Sequence, residues 1–280
     1  MRRLLVSLYS VALATGCHAA AVARDVPEVY DERAVRVGTL ANFPVRALVA
    51  GADSSRRMDV AVMVWMLRSN NRVVLVDAGF YRDKFIARWS PADYLRPSEA
   101  VRAAGVEPGD VTDIIVSHVH WDHLDGVDLF PNATIWLQRA EYEHHIGLDG
   151  AVLDRAVDAD DATMLARLRS TGRVRLIDGD AREVLPGITV YIGGKHTFES
   201  QYAGVRTRSG TAVIASDNAY LYENLENRRP IAQTLDSLSN LAAQARMLTI
   251  ASSPRLVVPG HDPLVFQRFP LVRQGVVRID

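Results

Sequence analysis

Cysteine is almost missing from this 280-residue sequence: the single one, Cys17, falls among the first twenty residues. Neither a disulfide framework nor a thiolate metal centre can therefore organise the fold. Charge of one sign is not in excess either, with 32 basic against 33 acidic side chains and a formal net charge of -1. That balance gives no electrostatic footprint for nucleic acid, and a small neutral or weakly charged substrate fits better. No internal repeat or low-complexity tract is present, which excludes solenoid and linker-rich architectures. The apolar stretch Leu4 to Ala14 is shorter than the roughly 20 residues a spanning helix needs.

That stretch has another reading. Arg2 and Arg3 precede it and small residues follow, the three parts of an export signal. Ala21-Val22-Ala23 is a suitable cleavage site, so residues 1–23 are expected to be removed and 24–280 to form the mature protein, periplasmic or secreted. Ala14-Thr15-Gly16-Cys17 resembles a lipoprotein box, which gives a lipid anchor at Cys17 as the alternative.

What remains is 48% hydrophobic overall and long enough for a substantial core. Strands are predicted at 34–40, 60–67, 72–76, 113–116, 134–137, 174–177, 188–192, 211–215 and 255–258 from short apolar or alternating runs. Helices are predicted at 97–104, 139–146, 159–170 and 231–251. Strands come in two batches, each followed by helices, which suits a single layered α/β domain with helices outside two packed sheets.

The chemistry is concentrated in His118-Val119-His120-Trp121-Asp122-His123, where a predicted strand ends. Alternation points His118 and His120 the same way, and the turn that follows can bring Asp122 and His123 to a neighbouring point. Imidazole and carboxylate suit zinc, and a catalytic zinc keeps one position open for water. A polar turn without function is the plain alternative; Asp125, a further acid in the same short run, makes it less economical. Further on, His196, Asp217 and His261 each closely follow a predicted strand, and strand ends along one sheet edge are where sites assemble. His144 and His145, in a predicted helix, are read as surface residues, and Lys195 as solvated. Trp121, Phe80, Tyr81, Phe198 and Tyr202 lie near these motifs and are assigned equally to a pocket or to the core.

The motif His-x-His-x-Asp-His, followed by a His, an Asp and a last His, resembles the signature of the metallo-β-lactamase superfamily over nearly the whole mature chain, from Asp77 to His261. The resemblance implies an αββα sandwich. It implies that His118, His120 and His196 hold one zinc, that Asp122, His123 and His261 hold the other, and that Asp217 bridges the two; iron, manganese or cobalt could replace zinc. Asp77 matches an acidic residue that orients ligands, or else caps a turn.

Within the superfamily, the acidic Asp217 argues against a true β-lactamase, and His120 against the oxygen-reducing members that carry Glu there. Tyr220, three residues after Asp217, matches the N-acyl homoserine lactonases, whose tyrosine hydroxyl meets the substrate carbonyl. The resemblance therefore implies opening of a lactone or related ester by a hydroxide bridging two cations, with Asp122 and Tyr220 as catalytic residues. One departure is evident: those lactonases read Gly-His-Thr-Pro-Gly-His around the third zinc histidine, whereas this chain reads Gly194-Lys195-His196-Thr197-Phe198-Glu199-Ser200. The competing readings are a thioesterase of the glyoxalase II kind, whose basic C-terminal helical region is not expected after His261, and an exported, non-catalytic zinc-binding protein.

Overall fold

Eight consecutive buried residues, Val60 to Leu67, set the layering. Val60, Val62, Val64 and Met66 face one core, while Ala61, Met63, Trp65 and Leu67 face another. A strand with period-two geometry can be apolar on both faces only if both faces are covered. The computed structural model describes residues 28–279; the expected signal segment 1–23 and Cys17 lie outside the described residues.

Thirteen strands occur among the described residues: β1 (Asp31–Pro44), β2 (Arg57–Arg68), β3 (Val73–Val76), β4 (Asp113–Ile115), β5 (Thr134–Gln138), β6 (Val174–Ile177), β7 (Arg182–Leu185), β8 (Ile188–Ile192), β9 (Gln201–Thr207), β10 (Gly210–Ser216), β11 (Val257–Pro259), β12 (Leu271–Arg273) and β13 (Val276–Arg278). They form an eight-stranded sheet in the order β12-β13-β1-β2-β3-β4-β5-β6 and a five-stranded sheet in the order β11-β10-β9-β8-β7. Both are mixed: β3 to β6 run parallel, as do β10 and β11, and the remaining neighbours are antiparallel.

The helices are α1 (Asp83–Trp89), α2 (Pro97–Ala103), α3 (Trp121–Leu124), α4 (Arg139–His145), α5 (Ala159–Ser170), α6 (Tyr222–Glu226), α7 (Ser237–Ile250) and α8 (Val265–Arg268). On the large sheet α2 packs against β1, α4 against β5 and α5 against β6, while α7 covers β10 of the small sheet. The fold is the αββα sandwich the sequence implies.

Two differences from the sequence reading bear on the site. The helix expected from Ile231 begins only at Ser237, because the Asp236 carboxylate accepts from the amides of Leu238 and Ser239 and fixes the N-terminus there. Residues 231–236 instead cross the face of the molecule as a loop, with Ile231 bridged to Val49. The segment after His261, for its part, forms short α8 and a hairpin that adds β13 to the edge of β1 rather than a helical region.

Candidate metal centre

Three of the turns that approach the site hold a non-glycine residue with unusual backbone. Asp77 follows β3 at φ 60, Ser216 ends β10 at φ 45, and Lys195 precedes His196 at φ 57. Non-glycine residues enter this left-handed region at a cost of about 1–3 kcal/mol each and cluster where a site is being shaped. Gly260 follows β11 for a steric reason: a Cβ there would lie 2.8 Å from the Ser216 carbonyl and 2.9 Å from Asp217 Oδ1.

These turns bring all seven predicted side chains together. His118 Nε2 and His196 Nε2 each lie 2.9 Å from His120 Nδ1, and Asp217 Oδ2 stands 3.3 Å from His196 Nε2 and 3.7 Å from His118 Nε2. In the second group, Asp122 Oδ2 is 3.6 Å from His123 Nε2 and 3.7 Å from His261 Nε2. Asp217 Oδ1 faces that group, at 3.0 Å from His261 Nε2 and 3.3 Å from His123 Nε2. One carboxylate thus presents an oxygen to each group.

Four of the five histidines have their outer nitrogen engaged. His123 Nδ1 donates to Asp77 at 2.8 Å, His196 Nδ1 to the Gln233 carbonyl at 2.8 Å and His261 Nδ1 to the Ala61 carbonyl at 2.9 Å. His118 Nδ1 meets Ser117 Oγ at 2.9 Å, and that hydroxyl donates onward to Asp77. With their protons committed outward, these four rings turn the Nε2 lone pair inward.

Lone pairs converging at such distances repel unless a cation lies among them. The donors of a tetrahedral zinc are about 3.3 Å apart, and the contacts within each group bracket that spacing. His123 Nε2 and Asp217 Oδ1 are also buried without a hydrogen bond. Each group can therefore hold a metal ion, and the donor set of imidazole and carboxylate fits zinc.

The electrostatics follow from crowding. Burial, reinforced by neighbouring imidazoles, holds His118 and His120 well below the usual histidine range. Against the pull of burial, Asp217 raises His123 and His261, and those two rings in turn hold Asp217 well below the usual carboxylate range. Burial, with Asp217 and Asp122 adding to it, raises Tyr220 well above the usual phenol range, so its hydroxyl stays protonated. That hydroxyl lies 3.4 Å from His196 Nδ1.

The centre opens into a cleft of about 160 Å³. Its lining joins the polar groups of His120, Asp122, Asp217, Tyr220, Gln233 and His261 to the apolar side chains of Leu40, Phe43, Leu48, Val60, Trp89 and Trp121. Trp121 is clamped by aromatics: its ring is parallel to Trp89 at 5.5 Å, stacks on Phe85 at 4.9 Å and meets the edge of Phe80 at 4.6 Å. Of the other aromatics near the motifs, Tyr202 is buried on the α7 side of the small sheet, stacked on Tyr191 at 5.3 Å, and Phe80 lies in the helix-side core.

A match to the sequence profile of the metallo-beta-lactamase superfamily runs from residue 57 to residue 261, from β2 to the last histidine of the centre. The chain belongs to the metallo-beta-lactamase superfamily. An N-acyl homoserine lactonase of a Bacillus species is 28% identical over 222 residues, 73% of this chain and 82% of that relative. The N-acyl homoserine lactonase AiiA of Bacillus thuringiensis subsp. kurstaki is 26% identical over 221 residues, with the same shares covered. The crystal structure of a quorum-quenching N-acyl homoserine lactone lactonase superposes with a TM-score of 0.73 at 21% identity, over 88% of this chain and 98% of that one. AidC, a dizinc quorum-quenching lactonase, gives 0.64 at 13%, over 91% and 98%. These two structural likenesses show that the superfamily fold extends over most of the chain.

Around the seven side chains, Asp77 takes the orienting one of its two expected roles, whereas Lys195 and His145 depart from expectation. Asp77 does not merely cap a turn: its buried carboxylate accepts from the Ser117 amide, the Ser117 and Ser216 hydroxyls and His123. Lys195 is braced, donating to the Phe198 carbonyl at 2.6 Å and pairing with Glu199 at 2.8 Å. His145 is buried rather than on the surface, because the loop after α4 folds back and places Asp154 beside it; His144 is exposed as expected. Glu141 was not singled out. Fully buried, it accepts from the amides of Val119 and Glu199 and so fastens the two histidine-bearing loops together.

Proposed function

We propose that this protein is an exported, zinc-dependent lactonase that opens the ring of N-acyl homoserine lactones. The observation that carries the reading is the meeting, in one cleft, of Tyr220 and donors of both groups with six apolar side chains. Such a cleft suits an amphipathic substrate with a polar ring at one end and an aliphatic tail at the other. The names of the relatives support it, as does a solved N-acyl homoserine lactone hydrolase with N-hexanoyl-L-homoserine bound at its catalytic metal center.

His118, His120 and His196 would hold one zinc, Asp122, His123 and His261 the other, with Asp217 shared. When bound, the pair supplies Lewis acidity and lowers the pKa of water from about 16 towards about 7. Tyr220 donates its proton-bearing hydroxyl to the carbonyl oxygen as negative charge develops there. Asp122, partly exposed in the cleft, would take through Oδ1, the oxygen not turned toward His123 and His261, the proton that the attacking water releases and pass it to the ring oxygen as its bond to the carbonyl carbon breaks. Trp121, immobilised by its aromatic neighbours, supplies a rigid apolar face for the tail.

The test is turnover by zinc-loaded protein of a panel containing homoserine lactones of several tail lengths, a glutathione thioester and a β-lactam. Ring opening of the lactones is expected. Turnover of the thioester alone would replace the reading with a thioesterase, and no turnover at all would leave a zinc-binding protein. For export, the mature N-terminus is expected near Arg24, and acylation at Cys17 would overturn that part.

A further inference from the structure

A second cleft, of about 410 Å³, lies on the other side of His120 and His196. Its wall carries His144, His145 and Asp154, three potential donors whose ligand atoms all lie within 4.8 Å of one another. None of them belongs to the centre already described. His145 is the last residue of α4, and Asp154 comes from the loop that returns over it, held by a bridge between Ile146 and Val152 and by the Leu153 amide on the His145 carbonyl at 2.9 Å.

The surroundings of His145 point to a ligand. Its ring is buried between two carboxylates, with Nδ1 3.2 Å from Asp154 Oδ1 and Nε2 3.5 Å from Glu141 Oε2. Nε2 makes no hydrogen bond within the protein. Of the two contacts, only the one between Nδ1 and Asp154 is a hydrogen bond. Glu141 is fully buried and, against the pull of burial, is held below the usual carboxylate range by His145 and by the Thr197 and Glu199 contacts. A cation taking the place of the Nδ1 proton would bind this ring and Asp154 together, with the Glu141 carboxylate behind Nε2. A carboxylate behind one imidazole nitrogen with an open lone pair on the other is how metal-binding histidines are oriented.

His144 completes the group. Its exposed ring is stacked on Phe198 at 3.9 Å with the planes 3° apart, which restricts it beside His145. Phe198 lies two residues beyond His196, so this group touches the same loop as the main centre.

We propose that His144, His145 and Asp154 form a third, exchangeable site for a divalent cation of the zinc, nickel or cobalt class. Two imidazoles and one carboxylate suit those ions, and the open side toward the cleft leaves positions for water. The bound ion ties the end of α4 to the loop 146–154, closing one wall of the second cleft. This inference does not depend on the lactonase reading.

The test measures zinc bound per chain, by equilibrium dialysis and elemental analysis, for the full-length protein and for His144→Ala and Asp154→Asn. Neither residue is a donor of the main centre, and the asparagine keeps an oxygen to accept the Ala156 amide, as Asp154 does at 2.9 Å. Wild type is expected to bind one equivalent more than either variant at saturation. Zinc should also slow amide hydrogen exchange across 146–154 in wild type only. Equal stoichiometry in all three proteins, or slowing that persists in both variants, would show that the His145–Asp154 contact is only a hydrogen bond fixing the loop.

Discussion

The Asp77 carboxylate accepts the Nδ1 proton of His123 at 2.8 Å, and both groups are buried. The same carboxylate accepts hydrogen bonds from Ser117 and Ser216, so one acid orients residues of the turn after β4, of α3 and of β10 at once. Asp77→Asn keeps the volume but removes the charge that favours the Nδ1 tautomer of His123. Metal affinity is expected to fall about 10-fold to 100-fold, read by competition with a chromogenic chelator. Affinity equal to wild type would mean that Asp77 only shapes the turn after β3.

Tyr220 is the sharpest test of the chemistry. Its hydroxyl is buried and protonated and lies on the cleft wall. Tyr220→Phe is expected to lower kcat about 10²-fold to 10³-fold, the usual cost of one oxyanion donor, with zinc content unchanged. Undiminished turnover would remove the hydroxyl from the reaction, and a loss of zinc would make it a support for His196.

Removal of metal should expose the repulsion among the converging donors. Dialysis against a chelator is expected to lower the melting temperature, and zinc at about 100 to 1,000 times its Kd to restore about 3–4 kcal/mol. Asp217→Ala, which deletes the oxygens facing both groups, should abolish most of that zinc-dependent rise. A variant that melts and responds to zinc like wild type would contradict the shared role of Asp217.

A pH effect arises some way from the centre. The Arg82 guanidinium pairs with two buried carboxylates, Asp125 and Asp161. Burial, only partly offset by Arg82, pushes the Asp161 carboxyl up to about 7. Its unfolded value is near 4, so between about pH 4 and 7 the folded protein keeps a proton that the unfolded chain has released. Stability from this group is complete below that interval and is lost as pH rises through it. The melting temperature of Asp161→Asn relative to wild type is expected to climb from about pH 5 to about pH 8, and a pH-independent difference would refute the shift.

The sequence displayed the strands buried on both faces, such as 60–67 and 113–116, because continuous apolar runs have few other uses. It also displayed the seven converging side chains, since four sit in one run after β4 and the other three each follow a predicted strand. It concealed β9, whose residues 201–207 are nearly all buried but include Gly204 and polar Gln201, and β7, whose Arg182 and Glu183 are exposed on an edge. The helix at 231 was overextended because the capping Asp236 lies inside an otherwise acceptable helical run. Glu141 and Gln233 left no trace in the sequence, for their roles come from loops that meet only in three dimensions.

The route by which the histidines arrive has one last consequence. His118 hangs from the end of β4 in the large sheet, whereas Asp217 and His261 hang from β10 and β11 in the small one. The centre is thus a rivet through both layers, and it gauges their alignment. A slide of one layer over the other by no more than a bond length would part the donors while leaving each sheet intact, so repacking Ile115 or Ile214 in the shared interior would announce itself as lost zinc before lost structure.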